Sequence, residues 1–251
     1  MRWFTNTELH ISENREKTSK AAALFFVNSI QKRISRRQNV NIALSGGSTP
    51  KTMYKEIVEF FADAVEWQDV HFFWSDERYV SLSDPQSNAG MAIEHLLNPL
   101  RVDEKNRHIV PTDEANAAVD AARYEETMRR HFDIPFPDIP RFDLILLGLG
   151  EDGHTASLFP GSAALTEPSK LIAENWVEKA KTWRITFTFP LINAADNLLF
   201  LVTGEGKAPV VAEILRQRNT EFPAAYVRPD RGKVHWFLDE AAAFLLDIKS
   251  D

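Results

Sequence analysis

A chain of 251 residues, 44% hydrophobic and 26% charged, can bury a full core and is expected to form one domain over residues 1–251. It contains no cysteine, which removes disulfides, thiolate metal sites and a cysteine nucleophile together, so any nucleophile is oxygen-based or water. A net charge of −7 argues against a nucleic-acid backbone or an anionic membrane as partner, since both need a basic face, but leaves room for a small anion in a local positive pocket.

The first residues, Met1-Arg-Trp-Phe-Thr-Asn-Thr-Glu8, lack the basic and apolar regions of an export signal. No stretch approaches the roughly 18 apolar residues that span a bilayer, so a cytoplasmic location is expected. Ala23, Val27, Ile30 and Ile34 then share one stripe of helical period. The apolar run Val40–Leu44 has the pattern of a strand buried on both faces. It leads into Ser45, Gly46, Gly47, Ser48, Thr49 and Pro50, where Thr49 suits a helix N-cap and Pro50 the first helical position. The helix continues through the stripe of Tyr54, Ile57, Val58 and Phe61. Glycines free backbone N–H groups to turn toward a bound group, hydroxyls add donors, and the helix dipole favours an anion. The loop is therefore a candidate phosphate cradle, although it lacks the spacing and lysine of a Walker loop, and a capped Gly-Ser turn is common in any α/β protein.

The next strand, Val70–Trp74, runs into Ser75-Asp76-Glu77-Arg78, which places two carboxylates and a guanidinium in a loop at a strand end. Arginine there suits bidentate contact with a phosphate or carboxylate. A proline-rich connector, Pro135-Phe-Pro-Asp-Ile-Pro140, enters the central strand Leu144–Leu147. Beyond it, Gly148-Leu-Gly150-Glu-Asp152-Gly153 matches G-x-G-x-x-G, and Glu174 stands about 20 residues on, where a ribose-binding acid would fall. A dinucleotide loop must open a long helix, however, and Pro160-Gly161 and Pro168 interrupt this segment. His154 is left as the informative residue, with Asp152 two positions earlier able to orient its ring and bias its tautomer.

Arg184 opens a strand at 185–189, and a further strand at 198–202 ends in Thr203-Gly-Glu-Gly-Lys207. Lys207 falls in the first turn of a helix carrying Val211, Ile214 and Leu215. A lysine there is unfavourable unless an anion shares the helix N-terminus. Taken singly, Arg78, Arg184 and Lys207 each have the look of a solvated surface charge. A last strand covers 234–238. Strands alternating with helices imply an α/β fold, a mainly parallel, Rossmann-like sheet flanked by helices, with ligands at the carboxyl ends of the strands.

Taken together and in order, Leu44-Ser-Gly-Gly-Ser-Thr-Pro50, Trp74-Ser-Asp-Glu-Arg78, Ser87-Asn88, the run from Gly148 through His154 to Pro160, Arg184-Ile-Thr and Thr203-Gly-x-x-Lys207 resemble the 6-phosphogluconolactonase family. The resemblance covers most of the chain. It implies the fold shared with glucosamine-6-phosphate deaminases and ribose-5-phosphate isomerases, a sugar-phosphate lactone as the small-molecule partner, no metal and no cofactor. The activity implied is hydrolysis of 6-phosphogluconolactone in the pentose phosphate pathway, with His154 and Asp152 at the reaction. The binding residues are then Ser45, Gly46, Gly47, Ser48, Thr49, Asp76, Arg78, Asn88, Arg184 and Lys207. The sister deaminases are the competing reading, and they continue Gly-His-Ile-Ala-Phe-Asn-Glu-Pro and carry Asp-Glu-Tyr. This chain has Phe159 in place of that glutamate and Arg78 in place of that tyrosine. A non-catalytic sugar-phosphate sensor would keep the cradle without needing His154.

Overall fold

The near-continuous apolar runs pair side by side, as segments without a polar face must if both faces are to be covered. The computed structural model describes residues 6–36, 39–113, 116–216 and 221–246; residues 1–5, scrutinised above for an export signal, lie outside them. The main sheet contains β1 (Thr7–Ser12), β2 (Val40–Leu44), β3 (Val70–Trp74), β5 (Leu144–Leu147), β8 (Asn197–Val202) and β9 (Lys233–Asp239). Its order is β1-β9-β8-β5-β2-β3, and every pairing is parallel. A second, antiparallel sheet has the order β4-β7-β6, from β4 (Asp76–Arg78), β6 (Ile172–Val177) and β7 (Thr182–Phe187).

The described α-helices are α1 (Arg15–Ile34), α2 (Ser48–Phe61), α3 (Asn88–Ala92), α4 (Ala117–Phe132), α5 (Phe189–Asn193), α6 (Ala208–Leu215) and α7 (Glu240–Ala243). Of the predicted stripes, Ala23, Val27 and Ile30 of α1, Tyr54 and Ile57 of α2, and Val211, Ile214 and Leu215 of α6 are buried, while Ile34, Val58 and Phe61 are partly buried against the core. Burying each such valine, isoleucine or leucine side chain is worth about 1.5–3 kcal/mol. The Trp74 N–H donates to Tyr124 Oη at 2.9 Å, pinning α4 to the carboxyl end of β3.

Two expectations change. The strand at 185–189 is β7, which ends at Phe187 because Phe189 and Pro190 begin α5, and it belongs to the second sheet. Asp76–Arg78, expected as a loop, forms β4: the Ser75 N–H donates to Leu44 O at 2.9 Å while Ser75 O accepts from the Phe187 N–H at 2.8 Å, so the chain passes directly from one sheet into the other. The alternating β1 and the polar-containing β6 lacked the continuous apolar signal that marked the other strands. The junction at Ser75 carries β4 and β7 past the carboxyl edge of the main sheet, where the other βα loops gather.

Candidate active site

A cleft of about 470 Å³ opens there. Of the predicted site residues, Ser45 to Thr49, Asp76, Arg78, Asn88, His154, Arg184 and Lys207 line it, and Asp152 stands behind His154. Residues up to 162 positions apart in sequence are thereby brought to one opening.

One end gathers an uncapped helix start and three cationic side chains. Helix α2 begins at Ser48 with Gly47 as its N-cap, two residues earlier than predicted, because Gly47 takes φ +107, a conformation that favours glycine; Thr49 and Pro50 lie inside the helix. No side chain caps this end, so its first N–H groups and the positive end of the dipole face the cleft. The Tyr54 hydroxyl donates to Ser45 O at 2.7 Å and holds the loop from below. A Cβ on Gly46 would come within 1.7 Å of Asn88 Oδ1, so only glycine allows this close approach. Across the cleft, Lys207 is not within a helical first turn but closes the 3₁₀ turn Glu205–Lys207 and caps α6. Thr49 and Thr203 hydroxyls meet at 3.4 Å, bringing its loop against the cradle.

Arg78 and Arg184 sit directly opposite each other across β4 and β7. Arg78 donates to Gln86 O at 2.6 Å, but neither guanidinium is ion-paired with a described residue, and the Nε of each is buried without a partner. Burial, and then the charge of Arg78, push Arg184 below its ordinary value. Lys207 likewise makes no ion pair with a described residue.

The other end holds the histidine. The Gly150 N–H donates to His154 O at 2.8 Å and the Gly153 N–H to Gly150 O at 3.1 Å, which folds the loop back on itself. A Cβ at Gly150 would come within 2.0 Å of His154 Nδ1, so the ring packs against bare backbone. His154 Nδ1 lies 2.5 Å from Asp152 Oδ1, and we assign its proton to Nδ1 on that contact, leaving Nε2 as the accepting nitrogen. Burial opposes the Asp152 charge, but the His154 ring and backbone N–H and the nearby Lys179 outweigh it and hold the carboxyl below the usual range. Phe159 stacks on the imidazole with ring centroids 4.1 Å apart.

Two contributors escaped the sequence reading. Lys179, in the turn between β6 and β7, lines the cleft and lies 3.4 Å from Asp152; no motif surrounds it. Glu77 is buried and accepts from the backbone N–H groups of Arg78, Asn88 and Ala89 at 2.6, 2.8 and 2.7 Å, and from the Ser87 hydroxyl at 3.1 Å. Burial pushes its carboxyl up against the pull of those bonds. Its place between Asp76 and Arg78 was the available signal: it orders both Arg78 and Asn88 without facing the cleft.

Residues 13–236 match the model of a family described as glucosamine-6-phosphate isomerases/6-phosphogluconolactonase. The chain belongs to this family. A 6-phosphogluconolactonase of Synechocystis is 40% identical over 231 residues, covering 91% of this chain and 94% of that protein. The structure of 6-phosphogluconolactonase from Trypanosoma cruzi superposes with a TM-score of 0.87 at 28% identity, covering 98% of this chain and 99% of that one. A monomeric glucosamine-6-phosphate deaminase also superposes, with a TM-score of 0.80 at 19% identity and 95% and 99% coverage, a likeness of fold alone. Within the family, then, the shared α/β frame does not choose between the two chemistries, and the side chains at the cleft must. Here the ring partner of His154 is an aromatic face, not a carboxylate, on the Phe159 side.

Proposed function

We propose that the chain hydrolyses 6-phospho-D-glucono-1,5-lactone to 6-phospho-D-gluconate, serving the oxidative pentose phosphate pathway in the cytoplasm. The observation that carries this reading is one cleft with the Asp152–His154 pair at one end and an anion cradle with Arg78, Arg184 and Lys207 at the other. Among the described residues no helix is long and apolar enough to cross a membrane.

A δ-lactone is an activated ester and needs a water nucleophile, a base and stabilisation of the developing oxyanion. The cradle and Lys207 hold the phosphate, so remote binding energy sets C1 of the lactone near His154. His154 Nε2 takes a proton from water as the water oxygen bonds to C1, and Asp152 stabilises the imidazolium so formed. Arg78 and Arg184 supply positive charge to the substrate's oxyanion or phosphate. When the tetrahedral intermediate collapses, the C1–O5 bond breaks and the imidazolium returns its proton to O5. One histidine thus serves both half-steps, and the product acid ionises in solution.

The test is turnover of freshly prepared lactone by the parent and by His154→Ala, with spontaneous hydrolysis subtracted. The variant should lose about 10²–10⁴-fold in kcat while still binding 6-phosphogluconate. Turnover within a factor of about two of the parent would remove His154 from the mechanism.

A further inference from the structure

Three histidines that the mechanism does not use converge far from the cleft. His71 is the second residue of β3, His108 follows that strand in the chain, and His131 is in the last turn of α4. One ring nitrogen from each lies within 4.8 Å of the others. None of the three lines the active cleft, which opens beyond the other end of β3.

The rings are held, not loose. Phe73 stacks on His108 with centroids 4.2 Å apart and 10° between planes, and Phe132 meets His131 edge-on at 5.2 Å. His131 Nε2 lies 2.7 Å from Asn41 Oδ1, where an N–H donated to the amide carbonyl orients the ring, the kind of outer support that fixes metal-bound histidines. His71 Nδ1 and His108 Nε2 stand 3.2 Å apart, close to the edge of about 3.4 Å that two nitrogens span on a tetrahedral zinc with bonds of about 2.1 Å. No carboxylate shares the group, so three imidazoles from a strand, a loop and a helix face one another.

We propose that His71, His108 and His131 form a zinc site, with water in the fourth position, that ties β3 and the segment after it to the end of α4. Imidazole is a preferred zinc ligand, and three of them with an open position is an established donor set for this ion. Zinc replaces the N–H···N contact between His71 and His108, and the shared proton is carried on the far nitrogen of its ring. Away from the cleft, the site braces the sheet edge at β3 and takes no part in the lactone reaction.

A second cluster, Glu8, His10 and His235, makes the natural control. Its carboxylate is already paired with the Lys233 ammonium, which an incoming cation would have to displace. The experiment titrates untagged, chelator-stripped protein with zinc, and with Co²⁺ as a spectroscopic stand-in. The expected result is one zinc per chain with a sub-micromolar Kd, visible bands of four-coordinate Co²⁺, and a higher thermal midpoint. His108→Gln and His131→Gln should each weaken binding by about 10–100-fold, with lactone turnover unchanged, while His10→Gln leaves binding intact. Parent protein that binds no zinc overturns the proposal, as does binding lost in His10→Gln but kept in His108→Gln. Should those variants fail to fold, X-ray absorption of the zinc-loaded parent decides. Three imidazoles support the site, and two imidazoles with a carboxylate overturn it.

Discussion

Arg78 and Arg184 face each other across an antiparallel strand pair, and among the described residues no acid is salt-bridged to either. Like charges directly opposite one another on a sheet are destabilising. The role proposed for the pair is to meet an anion that enters the cleft, and the price in stability points to Arg184→Ala as the informative change. The variant should keep a thermal midpoint at or above the parent's while its KM for the phosphorylated lactone rises by about 10–100-fold, the loss of one or two charge-assisted contacts of about 1.5–3 kcal/mol. Inorganic phosphate should raise the parent's midpoint more than the variant's. A lowered midpoint with unchanged KM would make Arg184 a packing residue.

Asp152→Asn tests the orientation of the histidine. An amide in the Asp152 position accepts from Nδ1–H less strongly and can instead donate to Nδ1, which moves the imidazole proton to Nε2 and removes the base. The expected loss in kcat is about 10²–10⁴-fold with little change in KM. The pH dependence of folding gives an independent check. The Asp152 carboxyl is depressed in the folded protein, so its contribution to stability is present above the ordinary carboxyl value and is lost as pH falls through the lower folded value. Thermal midpoints followed from neutral pH down into the acid range should therefore fall more steeply for the parent than for Asp152→Asn.

The parts of the site that the sequence made legible are those whose chemistry is local. The Gly46-Gly47 turn, the Asp152–His154 spacing and Lys207 after a buried strand each follow from neighbours within a few residues. What escaped is long-range. Nothing near Arg78 in the chain announces Arg184, because their apposition depends on β4 turning out of the main sheet at Ser75 and pairing antiparallel with β7. Lys179 is likewise placed by the β6–β7 turn, and Glu77 matters through the backbone N–H groups of Asn88 and Ala89 at the start of α3. The parallel strands declared themselves by continuous apolar runs, whereas β1 and β6, with Glu8, His10, Glu174 and Asn175, carry polar residues that blur the period.

Lys207→Ala separates phosphate reading from general acidity of the cleft. Lys207 caps α6 beside Thr203, whose hydroxyl meets Thr49 of the cradle, so its ammonium belongs to the anion end. Replacement should weaken the phosphorylated lactone by about 1.5–3 kcal/mol in KM and relieve competition by 6-phosphogluconate. Plain glucono-lactone, which has no phosphate to lose, should be turned over by parent and variant alike. Equal impairment on both substrates would assign Lys207 to something other than the phosphate.

Glucosamine 6-phosphate should yield neither ammonia nor fructose 6-phosphate with this protein. Deamination opens a ring, moves a proton between C2 and C1 and expels an amine, so it needs more proton-transfer groups than lactone hydrolysis. Phe159, which the resemblance to the deaminase motif sets in place of a glutamate, stacks on His154 at 4.1 Å and offers that ring a hydrocarbon face that carries no proton. The acids closest to the chemistry are otherwise engaged: Asp76 is buried and accepts from Ser157 at 2.7 Å, and Asp152 is held by His154 and Lys179. Glu151 is exposed and does not line the cleft. The assay is ammonia release over many turnovers by purified protein, run beside the lactone assay on the same preparation. Sustained release that His154→Ala abolishes would mean that one of these acids has taken over the missing role, and the lactonase reading would fall.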